Sequence, residues 1–481
     1  MNTHKPHNIE IEKLATILTT LMLSIGAFPV QAELPSEGPR LGSRILQDDL
    51  VNMSIDDIRL GGQRIFSTPF NFKDGLGDGP LDLSEDPTAF GGRPSLQGNG
   101  FILRFNGNDS QTCLECHSVR SNATIPASFA VGGFGNISDS AFPGILNPDI
   151  DDDGDDGSVS DDGVANISGR MINPPFNFGA GGVEALAKEM TTELQALIEK
   201  AEENPDQVVN LITKGVSFGS IISTGGNLDT SNVEGIDDDL VVRPFGRTGC
   251  CFSIRDFDRG AMQFHHGIQP EEVVGSGIDA DGDGVVDELT IGEMSALHIF
   301  QVALDRPRQK KDLTQQERVG EILFTGIGCA VCHIPELTTN SSHLPVAFPE
   351  IPTNPSANVF MNIDLTETTP GYEERNDQNG GVVVPLFADL KRHHMGSGLA
   401  ESTGEPNAAF FTTARLWGVA DTAPYMHDGR AMTLSQAILL HGGEAQDKRD
   451  NFATLPVADQ EALLAYLLTL QTPARPSYDL R

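Results

Sequence analysis

The sequence predicts a mainly α fold of two helical domains, with long loop-rich insertions and little β structure. Three observations predict it. The pattern C-x-x-C-H occurs twice, as Cys113-Leu-Glu-Cys116-His117 and Cys329-Ala-Val-Cys332-His333, in a chain of 481 residues, enough for more than one core. Each copy is flanked by segments whose apolar residues recur at helical spacing. Finally, 51 Gly and 29 Pro beside a hydrophobic content of 38% mark the stretches between those helices as loops.

Residues 1–32 read as a signal peptide. Lys5 and Lys13 precede an apolar run from Leu14 to Val30, and Val30-Gln31-Ala32 offers compact residues where a signal peptidase cuts. The run is about 17 residues and is broken by Thr, Ser and Gly, which is short for a membrane anchor. The expected product is periplasmic or secreted, with no membrane attachment after cleavage.

The first domain is expected over 33–306. A helix from Ile55 to Phe66 opens it, and Thr290-Ile-Gly-Glu293 caps a closing helix through Met294, Leu297, Phe300 and Leu304 that ends near Pro307. Between them lie an Asp-rich stretch over 149–163 and an amphipathic helix over 183–203 with Leu186, Met190, Leu194 and Leu197 on its apolar face. The second domain is expected over 307–475. Thr314-Gln-Gln-Glu317 caps a helix carrying Val319, Ile322 and Leu323, and Thr325-Gly-Ile-Gly328 turns the chain into Cys329. Residues 334–390, rich in Pro, Asn and Thr, read as a long loop with short strands. Thr433-Leu-Ser-Gln436 caps a helix that ends in His441 before Gly442-Gly443, and Ala458 to Gln471 forms the closing helix before Pro473.

C-x-x-C-H is the attachment signature of c-type haem. Two thiols add to the two vinyl groups, and the following His is placed on the iron as proximal ligand. A zinc knuckle would set its Cys pairs much closer together, and a redox dithiol carries no trailing His. Two covalently bound c-type haems are therefore expected, on Cys113, Cys116 and His117 and on Cys329, Cys332 and His333, which makes the domains cytochrome c-like. Cys250 and Cys251 are adjacent; they read either as a vicinal disulfide or as small core residues, with no catalytic role.

The charge is −36, from 32 Lys and Arg against 68 Asp and Glu. Nucleic acid and anionic lipid need clustered basic residues and are excluded as partners; cations and basic proteins suit this balance. Asp279-Ala-Asp281-Gly-Asp283-Gly-Val-Val-Asp287 alternates carboxylates around a turn that Gly284 permits, the pattern of a calcium loop, although Thr290 stands where a bidentate Glu closes an EF-hand. Asp149, Asp151 and Asp153 are a weaker copy. Read from the residues alone, His441 is either an iron ligand at a helix tip or a solvated last-turn His that complements the helix dipole.

With Thr422-Ala-Pro-Tyr-Met-His427-Asp-Gly429 following the two motifs, the chain resembles the bacterial di-haem cytochrome c peroxidase superfamily, which includes MauG-type enzymes. It is most similar to its di-haem oxidoreductase branch. The likeness runs through Leu416-Trp-Gly-Val-Ala-Asp-Thr-Ala-Pro-Tyr425, Ala437-Ile-Leu-Leu-His-Gly-Gly-Glu-Ala445, Arg255-Asp-Phe-Asp-Arg-Gly-Ala-Met-Gln-Phe-His-His-Gly267 and Leu390-Lys-Arg-His-His-Met-Gly396. In that superfamily the distal ligand of the second haem lies fourteen residues after the His of the A-P-Y-x-H segment, as Met in peroxidases and Tyr in MauG. The resemblance thus implies His441 as that ligand, a closed electron-passing iron, and a lower potential than in the peroxidases. It implies a place beside the haem, off the iron, for His427. The family's relay Trp is missing after the first motif, so a relay would use Trp417, Tyr425 or direct haem contact.

The expected function is that of an oxidoreductase enzyme. It reduces hydrogen peroxide, or another small oxidant, at the first haem, with His265 and His266 in its distal pocket. Electrons enter through the C-terminal haem from a small basic donor, a cytochrome c or cupredoxin. His393, His394 and Met395 are expected to supply a ligand, bind a haem propionate or pack. The alternatives are a non-enzymatic electron-transfer cytochrome, or a MauG-like oxidase or oxygenase acting on a polymer or a protein side chain.

Overall fold

The computed structural model describes residues 38–77, 103–104, 107–108, 110–117, 131–134, 141–145, 164–171, 173–175, 177–367, 369–375, 380–401 and 407–473. The signal segment 1–32 and the Asp149, Asp151 and Asp153 stretch lie outside them. Arg40–Arg481 forms one compact unit, and its apolar core falls into two clusters.

Short polar side chains start the helices. In α1 (Ile55–Ser67) Ser54 accepts the Asp57 amide, and Ser253 accepts that of Asp256 ahead of α3 (Ile254–Ala261). Thr290 with Glu293, Thr314 with Glu317 and Thr433 with Gln436 form reciprocal capping boxes at α4 (Ile291–Val302), α5 (Gln315–Gly326) and α6 (Leu434–Leu440). Each box satisfies two amide hydrogens that the first turn leaves without partners. Between them α2 (Ala180–Glu203) buries Val183, Leu186, Met190 and Leu194, and α7 (Gln446–Thr454) and α8 (Val457–Leu467) complete the set used here.

Two helix pairs carry the two motifs. Helix α1 precedes the first and packs on α4; α5 runs straight into the second and packs on α8. The same device brings each pair together. A Cβ on Gly62 would stand 1.9 Å from the Ala296 carbonyl oxygen, and one on Gly320 would stand 2.0 Å from that of Ala462. Only glycine admits another backbone that closely. The closing helix of the second pair is shorter than the apolar stripe suggests. It stops at Leu467, and Leu470–Gln471 turns into a strand against Arg308–Gln309, which buries Leu470 and leaves Leu468 exposed.

More strand is present than the loop-rich reading anticipates. Val208–Thr213, Val216–Thr224 and Asn227–Val233 form an antiparallel sheet whose first strand alternates exposed and buried residues. Its hairpins turn at Lys214-Gly215 and Gly225-Gly226, all four at positive φ, the handedness that two-residue hairpins require. In the 334–390 stretch, His343–Ala347 pairs with Val359–Asp364, and Val382–Val384 lies between Leu337–Thr338 and Glu373–Glu374. These strands put Leu344, Val346, Ile363, Val382 and Val384 into the first cluster. The second cluster gathers Phe324, Phe387, Phe452, Leu463, Tyr466 and Leu467 around the second motif. Among the described residues no helix is long and apolar enough to cross a membrane.

Gly320→Val tests the close helix crossing beside the second motif. The branched side chain must push α5 off α8, and overpacking of this kind costs about 1–3 kcal/mol. A urea midpoint unchanged from wild type would contradict the close crossing.

Candidate functional site

Both C-x-x-C-H motifs take the same local shape. Cys113–Glu115 and Cys329–Val331 each form one turn of 3-10 helix, and the amide of the motif His donates back to the first Cys carbonyl, His117 to Cys113 at 2.9 Å and His333 to Cys329 at 3.0 Å. Thr112 Oγ1 ties the first turn to the end of α1 through the Phe66 carbonyl, at 3.0 Å. All four motif cysteines are half-buried thiols outside any disulfide, and burial pushes that of Cys329 up to about 11.

The imidazoles are held in one consistent way. His117 Nδ1 lies 2.8 Å from the Pro175 carbonyl oxygen, His333 Nδ1 3.1 Å from that of Phe387, and His441 Nδ1 2.8 Å from that of Ala437. A carbonyl only accepts, so Nδ1 carries the hydrogen in each ring and Nε2 carries the lone pair a metal needs. Desolvation lowers the pKa of all three, that of His333 to about 4 with the nearby His441 adding to the effect, so they are neutral at neutral pH.

His333 and His441 face one another with ring centroids 6.4 Å apart. A metal bonded at about 2 Å to one nitrogen of each ring fits between two imidazoles so spaced. With paired thiols beside one of them, the donor set fits a c-type haem, which Cys329, Cys332, His333 and His441 would hold.

At the first motif the structure separates the two adjacent candidates. His266 is buried, its Nδ1 2.7 Å from the Ser110 carbonyl oxygen and its Nε2 3.9 Å from Cys113 Sγ. Its ring meets Phe70 edge-on at 5.5 Å. His265 is half-buried beside it in the same turn. The sequence paired the two; only the fold shows which one lies against the motif cysteine.

Around the second motif, His393 is bound at both nitrogens, to Asp389 Oδ2 at 2.8 Å and Glu444 Oε2 at 2.7 Å. Burial opposes its charge, but Asp389, the nearby Cys332 and Glu444 together push its pKa up to about 11. A charged imidazole with both nitrogens engaged is no iron ligand, which removes that expectation for His393. His394 packs on Phe410 with centroids 5.1 Å apart. His427 stacks on Phe411 at 4.5 Å and burial lowers its pKa. Trp417 is buried against Gly179, and the Tyr425 hydroxyl donates to the Val419 carbonyl at 2.9 Å. Cys251 is buried and Cys250 exposed, both as free thiols.

A short segment joins the surroundings of the two motifs. Pro175 holds His117, and Asn173 two residues earlier donates from Nδ2 to the Pro424 and Met426 carbonyls at 2.8 and 3.0 Å, while its amide donates to that of His427 at 2.7 Å. The A-P-Y-x-H segment is therefore hydrogen-bonded to the strand of chain that orients the first motif's His.

In the acidic loop the carboxylates of Asp279, Asp281 and Asp283 come within 4.8 Å of one another. Asp279 accepts the Gly282 and Gly284 amides, and Asp283 accepts that of Val285. Asp287 lies outside this group; its Oδ1 accepts the Gly277 amide. The residue after it, Glu288, was not anticipated. It is buried, and burial together with the three aspartates pushes it up to about 10. Asp283 is raised to about 6 by burial and by its neighbours. Carboxylates this crowded repel one another, and either protonation or a nearby positive charge relieves the repulsion.

Comparison with known proteins agrees with this picture. Residues 371–470 match the family described as "Di-haem oxidoreductase, putative peroxidase". A cytochrome-c peroxidase, IdrP2, of Pseudomonas sp. (strain SCT) is 28% identical over 164 residues, which cover 33% of this chain and 40% of that protein. The IdrP2 of Denitromonas iodatirespirans is 27% identical over 183 residues, covering 35% and 45%. The chain thus spans less than half the length of these relatives. Among solved structures, a MauG-like protein associated with microbial copper homeostasis is 18% identical with a TM-score of 0.26, covering 47% of this chain and 68% of its own. Hydrazine synthase of Kuenenia stuttgartiensis is 17% identical with a TM-score of 0.23, covering 37% and 55%. Residues 371–470 thus carry a likeness to di-haem oxidoreductases, and about a third of the chain a likeness to cytochrome-c peroxidases.

Asn173→Ala removes two hydrogen bonds and leaves the Pro424 and Met426 carbonyls short of a donor. A loss of about 1–2 kcal/mol is expected, read as a lower midpoint in chemical denaturation. A wild-type midpoint would show that this link carries no stability.

Proposed function

We propose that this chain is an exported di-haem c-type cytochrome peroxidase. Cys329, Cys332 and His333 would hold the haem that takes up electrons, and Cys113, Cys116 and His117 the haem that would supply them to hydrogen peroxide. The observation that carries this reading is the unequal dressing of the two motifs: His333 faces a second neutral imidazole, His441, at 6.4 Å, whereas His266 stands at the edge of the first motif with Nε2 toward Cys113. The bound haem irons supply the electron-transfer and peroxide-reducing chemistry.

The chain's own residues then have distinct tasks. His333 and His441 close one centre and fix its geometry. Their carbonyl partners hold both rings, so little rearrangement accompanies gain or loss of an electron. His117, oriented by Pro175, anchors the other centre. The hydrogen bond to Ser110 keeps His266 in the tautomer whose Nε2 can accept a proton from peroxide and return it to the departing oxygen. The negative charge suits a small basic electron donor, a cytochrome c or cupredoxin, and fits export into a compartment where c-type haem is attached. A relay between the centres would use Trp417, Tyr425 or direct haem contact.

The test is spectroscopic. Purified holoprotein, half-reduced and treated with hydrogen peroxide, should show a peroxide-responsive high-spin signal from the first haem. His266→Ala should lower peroxide turnover at least 100-fold while leaving the low-spin spectrum of the second haem intact. No high-spin signal in any redox state and no response to peroxide would leave an electron-transfer cytochrome in place of the peroxidase.

We also assign the loop of Asp279, Asp281 and Asp283 to calcium, with Glu288 as a further carboxylate beside it. Calcium at about 100 times its dissociation constant would add about 2.7 kcal/mol to stability. The thermal midpoint of chelator-treated protein should therefore rise on adding calcium, and Asp281→Asn should abolish the rise. An unresponsive wild type would refute the assignment.

A further inference from the structure

His441 sits on weak foundations. It is the C-terminal cap of α6, a helix of seven residues with only Ala437 buried. Its helix supplies the Ala437 carbonyl that sets the ring's tautomer and packs Leu434 and Ile438 on the second core, and the chain that follows adds a second anchor.

That chain is fastened to the segment 387–396. A Cβ on Gly443 would stand 2.0 Å from the His394 carbonyl oxygen, and one on Gly442 2.9 Å from that of Met395. The two glycines let the backbone after His441 lie directly on this segment. Glu444 then grips it: Oε1 accepts the His394 amide at 2.9 Å, and Oε2 takes His393 Nδ1 at 2.7 Å. His393 is held in turn through Nε2 by Asp389, whose Oδ1 accepts the Lys391 amide at 3.0 Å and the Thr413 hydroxyl at 2.7 Å. Asp389 is buried and His393 nearly so, whereas Glu444 is half exposed. The same segment begins at Phe387, whose carbonyl holds His333.

We propose that the Glu444–His393–Asp389 chain is a latch that keeps His441 opposite His333, so that one strap of backbone, 387–396, positions both axial imidazoles of the second centre. The three residues are positioning residues and touch no reacting atom. With the latch shut the second centre is closed to small molecules. With it open, the loop Gly442–Glu444 is free to carry His441 away and to expose a coordination position. The proposal rests on the reading of His441 as a ligand, and the experiment separates the two.

Holoprotein of wild type and of Glu444→Ala, Glu444→Gln, His393→Gln and His441→Ala is compared by EPR and optical spectroscopy, and by the rate at which cyanide binds the second haem. His441→Ala should be high-spin at that haem. Glu444→Ala should show a mixed spin state and bind cyanide at least ten times faster than wild type. Glu444→Gln, which keeps an acceptor for the His394 amide and changes no volume, should fall between them, and it stands in if the Ala variant does not fold. His393→Gln should match Glu444→Gln. If the Glu444 and His393 variants keep the wild-type spin state and cyanide rate while His441→Ala opens, the latch is wrong and the ligand stands. If His441→Ala also leaves the spectrum unchanged, the ligand reading is wrong and the latch falls with it.

Discussion

An imidazole that is to bind a metal through one nitrogen must have the other nitrogen settled, or its tautomer and ring angle wander. In this chain the settling is done by backbone. The Pro175, Phe387 and Ala437 carbonyls take the Nδ1 hydrogens of His117, His333 and His441, and Ser110 does the same for His266. A carbonyl cannot titrate or turn away, and its position is set by the path of the main chain. The accuracy of the site therefore depends on how well those stretches of backbone are placed, and much of the fold is arranged to place them.

The Phe387 stretch illustrates how. Leu386, Ala388 and Leu390 point into the first core, while Phe387 belongs to the second. The segment runs along the seam between the two cores, with alternate residues anchored in opposite directions. Phe387 and Leu390 both take positive φ, which is costly for bulky side chains and survives only where packing on every side enforces it. The strands of the 334–390 stretch deliver the chain to this seam, and the close helix crossings at Gly62 and Gly320 keep each motif pressed against its helix pair.

What could be read from the sequence was what is local. C-x-x-C-H, the reciprocal caps at Thr290, Thr314 and Thr433, and the glycines after His441 announce themselves within a few residues. The helix preceding each motif was legible for the same reason. Partners supplied by main-chain carbonyls leave no mark in a sequence, so Pro175, Phe387, Ala437 and Ser110 were invisible. Glu444, Asp389 and Glu288 were visible only as acidic residues among 68, with nothing to single them out before folding brought them together. The sheet over 208–233 does carry a local signal, apolar residues alternating along Val208–Thr213 and Gly-containing turns at Lys214-Gly215 and Gly225-Gly226. The adjacent pair His265 and His266 drew notice, but choosing between them needed the direction of each ring, which no spacing encodes.

The span of those carbonyl contacts also orders events in time. Each motif's turn closes a loop of a few residues, whereas His117 reaches Pro175 across 58 positions and His333 reaches Phe387 across 54. The entropy of closing a loop grows with its length, so the turns can form while the rest of the chain is still unfolded, and the carbonyls arrive only as the cores condense. During that interval both pairs of thiols are presented on a short, solvent-facing turn, open to covalent modification. Once folding is complete they are half-buried and the adjacent ring is clamped. Any covalent attachment at these thiols would find the turns most accessible before those long-range contacts form.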